Sequence, residues 1–287
     1  MIKSLKQVQA AFSLLNPAAV RERAERRVDI GLVARTSSAY AEMEDFLIPA
    51  ALPRDLQLQL AQTLHRAGDA DVSHNVDLVL YESGLAAPDG AFTFYRDDPQ
   101  RTASEILHPN EELSLALARQ YPAFRQPVVH RTVQAVAWEN ALFAVATALP
   151  NVVPTLFELP WVVGEFASDT AFLTVNQIRM AFLIAAACGK EVGVAQQKVE
   201  VLSITAGAFG WRALARELAG KIPLGGGLIP KGAIAYAGTI LVGKGLEHYH
   251  HARVPLTKSQ REEIYGQAYE EGKLVAESLS RESRPPA

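Results

Sequence analysis

The sequence predicts an α+β fold: a small α/β N-terminal domain followed by a mainly α-helical module with two apolar hairpins. Three observations predict it. Short apolar runs alternate with polar helical stretches over residues 28–95, the pattern of one layered α/β domain. Charge then thins: residues 1–126 hold 13 basic and 17 acidic side chains, residues 127–250 hold 9 and 8, and residues 251–287 hold 6 and 6. Within the depleted block, Ala141 to Phe157 carries no charge and Ile222 to Gly243 only Lys231. The divisions that follow are 1–27, an N-terminal amphipathic helix and linker; 28–124, the α/β domain; 125–250, the apolar helical domain; and 251–287, a charged helix and tail.

Residues 4–15 read as a short amphipathic helix stopped before Pro17, and their apolar positions are too interrupted for a signal peptide. Val28-Asp29-Ile30-Gly31-Leu32-Val33, Asp77-Leu78-Val79-Leu80-Tyr81 and Ala91-Phe92-Thr93-Phe94-Tyr95 are the strand candidates. Between the first two, leucines 56, 60 and 64 have helical spacing over residues 53–67. Residues 102–107 read as a further helix, and Pro122 and Pro127 as a hinge. Helices are then expected at 128–148, 168–188, 194–219 and 230–249, with Gly189 ending the second. The tail 257–280 is amphipathic.

Composition narrows the function classes. With 28 basic and 31 acidic residues the net charge is −3, so no strongly basic field draws nucleic acid. Cys188 is the single cysteine, which rules out an intramolecular disulfide framework and a multi-cysteine zinc site.

The turn after the first strand has the spacing of a phosphate-binding loop, G-x-x-x-x-G-K-[ST], without its chemistry. Ala34 and Ala39 stand for the glycines, Tyr40 for the lysine and Ala41 for the hydroxyl residue. Alanine restricts the backbone N–H groups that would converge on phosphate, and Tyr40 supplies no cation. Arg35 reads as a solvated loop arginine. Tyr81-Glu82-Ser83-Gly84 stands where D-x-x-G would follow the second strand, and N-K-x-D is absent from the sequence. No nucleotide hydrolysis is expected.

The two apolar stretches allow three readings: buried core helices, membrane spans, or proline-turned hairpins that dip into a bilayer. Pro150, Pro154 and Pro160 interrupt the first, and Gly225-Gly226-Gly227 with Pro223 and Pro230 opens the second. Ala235, Thr239 and Gly243 recur at four-residue spacing, and with Gly238 they would let another helix approach closely, in lipid or in a core. Trp211 beside Arg212 and Arg216 suits an interfacial helix with its arginines toward lipid phosphate. In a core, Arg216 would pair with an acidic neighbour such as Glu200.

AFGWRALARELAGKIPLGGGLIPKGAIAYAGTILVGKGLEHYH, residues 208–250, with TVNQIRMAFLIAAACG and ALPNVVPTLFELPWVVGEF before it, resembles the bacterial YcjF-like domain of unknown function. The resemblance covers roughly residues 125–250 and is most specific at Gly-Trp-Arg-Ala-Leu-Ala-Arg-Glu. It implies a membrane-associated helical module that works beside a small GTPase, and it carries over no catalytic residue.

Other chemistry reads weakly. Glu247, His250 and His251 offer at most three metal ligands and read better as a solvated helix end. Cys188 reads as a small core residue without a partner histidine. Ser37, Ser83 and Ser203 lack a nucleophile-elbow context, and Asp97-Asp98 before Pro99 reads as a turn. His130 and Arg131 are read as surface or capping residues. The expected function is therefore a non-enzymatic, membrane-associated adaptor or scaffold, facing the cytosol, with lipid, a GTPase or a second copy as partner and no cofactor. The alternative is a soluble cytoplasmic helical interaction protein with the apolar hairpins as its core.

Overall fold

The computed structural model describes residues 16–67, 76–148, 169–204 and 227–282. It has an α+β architecture in two compact units. One comprises residues 19–130 with 186–191, the other residues 131–185 and 192–287 with the first 18 residues.

The α/β unit contains helix α1 (Pro17–Glu25, its first residues aside), β1 (Ile30–Val33), α2 (Ser37–Leu47), α3 (Arg54–Ala61), β2 (Leu64–Arg66), β3 (Leu78–Glu82), β4 (Phe92–Phe94), α4 (Pro99–Leu107) and α5 (Glu111–Gln120). Its four strands form one parallel sheet in the order β2-β1-β3-β4. Ile30 pairs with Leu64 on one side and Leu78 on the other, and Leu80 pairs with Phe92. Ile30, Gly31 and Leu32 are buried in succession, as a parallel strand covered on both faces requires. Ala39, Met43 and Leu47 of α2 recur every four residues and are buried, so one stripe of that helix faces the core. Phe46 meets Phe94 and Phe124 at ring-centroid distances of 5.4 and 6.1 Å.

Below the strands, the Tyr121 hydroxyl donates to the Val28 carbonyl at 2.9 Å and lies 2.7 Å from the Thr63 hydroxyl. Burial pushes the Tyr121 phenol up to about 12. Asp29 accepts both nitrogens of Arg27 at 2.8 Å and faces His65 at 2.8 Å. The hydrogen bond from Arg27 is the main cause that holds the Asp29 carboxyl below its ordinary range. Residues 186–191 join this unit where the Lys190 carbonyl accepts from Arg119 at 2.6 Å. Gly189 there has a φ of +72°, which suits glycine at the stop of a helix.

Three local expectations are corrected. Leu64 lies in β2, because α3 ends at Ala61 and the Thr63 hydroxyl turns back to the Leu60 carbonyl at 2.6 Å. Pro122 and Pro127 do not interrupt the helix that follows: a 3₁₀ turn, Pro122–Phe124, leads directly into helix α6 (Arg125–Ala146), where Pro127 sits in the tolerated first turn. The 194–219 helix begins at 198 and is described to residue 204. Residues 4–15 lie outside the described residues.

The helical unit takes α6 from Arg131 onward, α7 (Asp169–Ala187, to Ala185), residues 198–204, α8 (Leu228–Ala252) and α9 (Lys258–Glu282). Phe143 of α6 stacks on Phe172 of α7 at 3.8 Å, and Glu139 meets Arg179, so these helices run antiparallel. Val133 packs at Gly243 and Val145 at Gly232, which sets α8 antiparallel to α6. In α9, Gly272 meets Ala233 and Ala276 meets Gly232, so α8 and α9 form an antiparallel pair joined by residues 253–257. Arg253 closes α8 in the left-handed region, at φ +59°. The second apolar stretch is thus no hairpin over its described part. It is one unbroken helix, because Pro230 occupies its first turn, where no backbone hydrogen bond is lost. The charged arm α9 is what folds back on it. No described helix is long and apolar enough to cross a membrane.

Candidate functional site

The turn after β1 is shorter than its spacing suggested. β1 ends at Val33 and α2 begins at Ser37, so only Ala34, Arg35 and Thr36 connect them. Thr36 caps the helix by accepting the Ala39 N–H at 3.2 Å, the role expected of an N-cap threonine. Ala39 therefore lies inside the first helical turn and Tyr40 lies under the Arg66 guanidinium, 5.3 Å from its ring centre. Arg35 is not a loosely solvated arginine. Its backbone N–H donates to Glu82 at 2.8 Å and its guanidinium to the Gly84 carbonyl at 2.9 Å. The carboxyl ends of β1 and β3, where open α/β sheets commonly bind ligands, are bridged by the chain's own groups.

In the helical unit, the small-residue face of α8 converges on a polar seam. Ala235, Gly238, Thr239 and Gly243 are all buried. A Cβ on Gly243 would come 2.5 Å from Val133 Cγ2, so α6 and α8 approach as closely as glycine permits. Asn140 donates to the Thr239 hydroxyl at 2.8 Å and Gln177 to the same oxygen at 3.3 Å, while Thr239 donates to the Ala235 carbonyl at 2.8 Å. Asn176 donates to Glu139 and to Asn140 Oδ1, each at 2.9 Å. Arg179 completes the seam with a 2.6 Å bond to Glu139. Asn140, Asn176, Gln177 and Thr239 are buried among apolar side chains.

A buried hydrogen-bond network has few alternative registers, because a slip of one residue would strand several polar groups. The seam holds three helices in one relative register. The acidic member, Glu139, is already paired with Arg179, and the rest are amides and one hydroxyl. The five side chains that join Thr239 in the seam were missed in the sequence. The available signal was the pair Glu139-Asn140 and the trio Asn176, Gln177 and Arg179 inside otherwise apolar helices.

Trp211, Arg212 and Arg216 lie outside the described residues, as do residues 149–168 of the first apolar stretch and 205–226 before α8. Glu247 pairs with Lys244 at 2.9 Å, and among the described residues no group of three or more acidic, histidine or cysteine side chains is placed to hold a metal. Cys188 is half-buried beside Arg125, so it is not the core residue expected. Asp98 caps α4, accepting the Arg101 N–H at 2.9 Å. The α/β unit also has an open cleft of about 420 Å³ lined by Phe46, Pro99, Gln100, Ser104, Pro127 and His130, among others.

Comparison with family models, with characterised proteins and with solved structures returned no match.

Proposed function

We propose that this chain is a non-enzymatic helical adaptor that associates with the cytosolic side of a membrane through one end of its helical unit. One observation carries the reading. The C-terminal end of α6 and the N-terminal ends of α7 and α8 lie together, since Phe143 stacks on Phe172 and Val145 packs at Gly232. Lys231 at this end donates to Thr147 at 3.2 Å. Ala148 and Asp169, which flank residues 149–168, and Gly227, which follows residues 205–226, belong to these helix ends. Residues 149–168 carry only Glu158 and Glu165 and residues 222–226 carry no charge, and both hold proline or glycine, the composition of a segment that enters a bilayer without spanning it. The resemblance to the YcjF-like domain supports the same reading and adds a small GTPase as the partner class.

A second reading, a helical interaction protein whose apolar helices serve only as its own core, draws support from α8. That helix is buried along most of its length against its own chain, so its apolar character is accounted for without lipid.

Flotation with anionic phospholipid vesicles separates the two. Under the adaptor reading the protein floats with vesicles, and Trp161→Glu with Leu224→Glu abolishes flotation while leaving the melting temperature within about 2 °C. A single cysteine at Leu224, in a Cys188→Ser background, should also be shielded from maleimide by vesicles. Protein that remains monodisperse in buffer and stays at the bottom of the gradient establishes the second reading.

A further inference from the structure

We draw no further inference here: the strongest candidate, the cleft of about 420 Å³ in the α/β unit between α2, α4, the 3₁₀ turn and the start of α6, floored by Phe46, Pro99 and Pro127, carries nothing because nothing in the structure shows what covers it.

Discussion

Asn140 and Thr239 stand 99 residues apart in the chain, yet the Asn140 amide donates to the Thr239 hydroxyl at 2.8 Å inside the helical unit. Thr239 accepts from Gln177 as well, so its oxygen is the point at which α6, α7 and α8 are fixed to one another.

Thr239→Val keeps the shape and removes that oxygen, leaving two buried amide donors short of an acceptor. A loss of about 1–3 kcal/mol is expected, read as a lower urea midpoint at unchanged slope. Asn140→Leu combined with Thr239→Val should cost less than the two single changes added together, because the pair shares one interaction. Strict additivity would show that the two side chains act independently.

Glycine substitutions should divide by sign. Gly243→Ala places a methyl against Val133, and overpacking of this kind costs about 1–3 kcal/mol. Val133→Ala should recover part of the loss. Gly266, in the middle of α9, has nothing within 4 Å of an added Cβ, so Gly266→Ala should stabilise by about 0.5–1 kcal/mol through helix propensity. Thermal melts of the three variants check the order.

Stability should fall at both ends of the pH scale, and Asp29 and Tyr121 of the α/β unit contribute one to each. The Asp29 carboxyl is held below its ordinary value of 3.8, first by Arg27. Its contribution is complete above the carboxylate range and is lost as pH falls through the lowered folded value. Tyr121 has the opposite sign. Its phenol rises from 10.0 to about 12, so unfolding releases a proton above pH 10 and stability drops between pH 10 and 12. The shift corresponds to about 3 kcal/mol at most. Burial also raises the phenols of Tyr236, Tyr265 and Tyr269 in the helical unit, so melting curves of Tyr121→Phe should lack part of the alkaline drop, and those of Asp29→Asn should lack part of the acid one.

GTP and ATP should not bind at millimolar concentration or below. The three-residue turn, with Thr36 committed to the Ala39 N–H and Arg35 to Gly84, has too little backbone to enclose a phosphate. Calorimetric titration that gives a micromolar dissociation constant for either nucleotide would overturn this.

What could be read in advance depended on how local the determining interaction was. β1, β3 and β4 announce themselves because a short apolar run between turn residues has one ready interpretation. The long helices do so because Asp169–Ala187 and Leu228–Ala252 are long, mainly apolar and free of interior proline breaks. β2 stayed hidden since Leu56, Leu60 and Leu64 keep helical spacing; the Thr63 hydroxyl and the pairing with β1 override that period. Pro230 reads as a breaker in the sequence, although a proline in a first turn breaks nothing. The seam was illegible because polar residues on apolar helices do not declare their partners, and Asn140 finds one on a helix 99 residues away.

Residues 186–191 complete the α/β unit through the contact between Arg119 and the Lys190 carbonyl, and this has a consequence for synthesis. Translation proceeds at about 5–20 residues per second, so roughly 3–12 s separate the emergence of His130 from that of Lys190. Throughout that interval the sheet can form but its closing segment does not yet exist. The whole of α7 must be made first. The N-terminal part of this protein therefore cannot finish folding as an independent first step on the ribosome, and its last contacts form only when the helical part has begun.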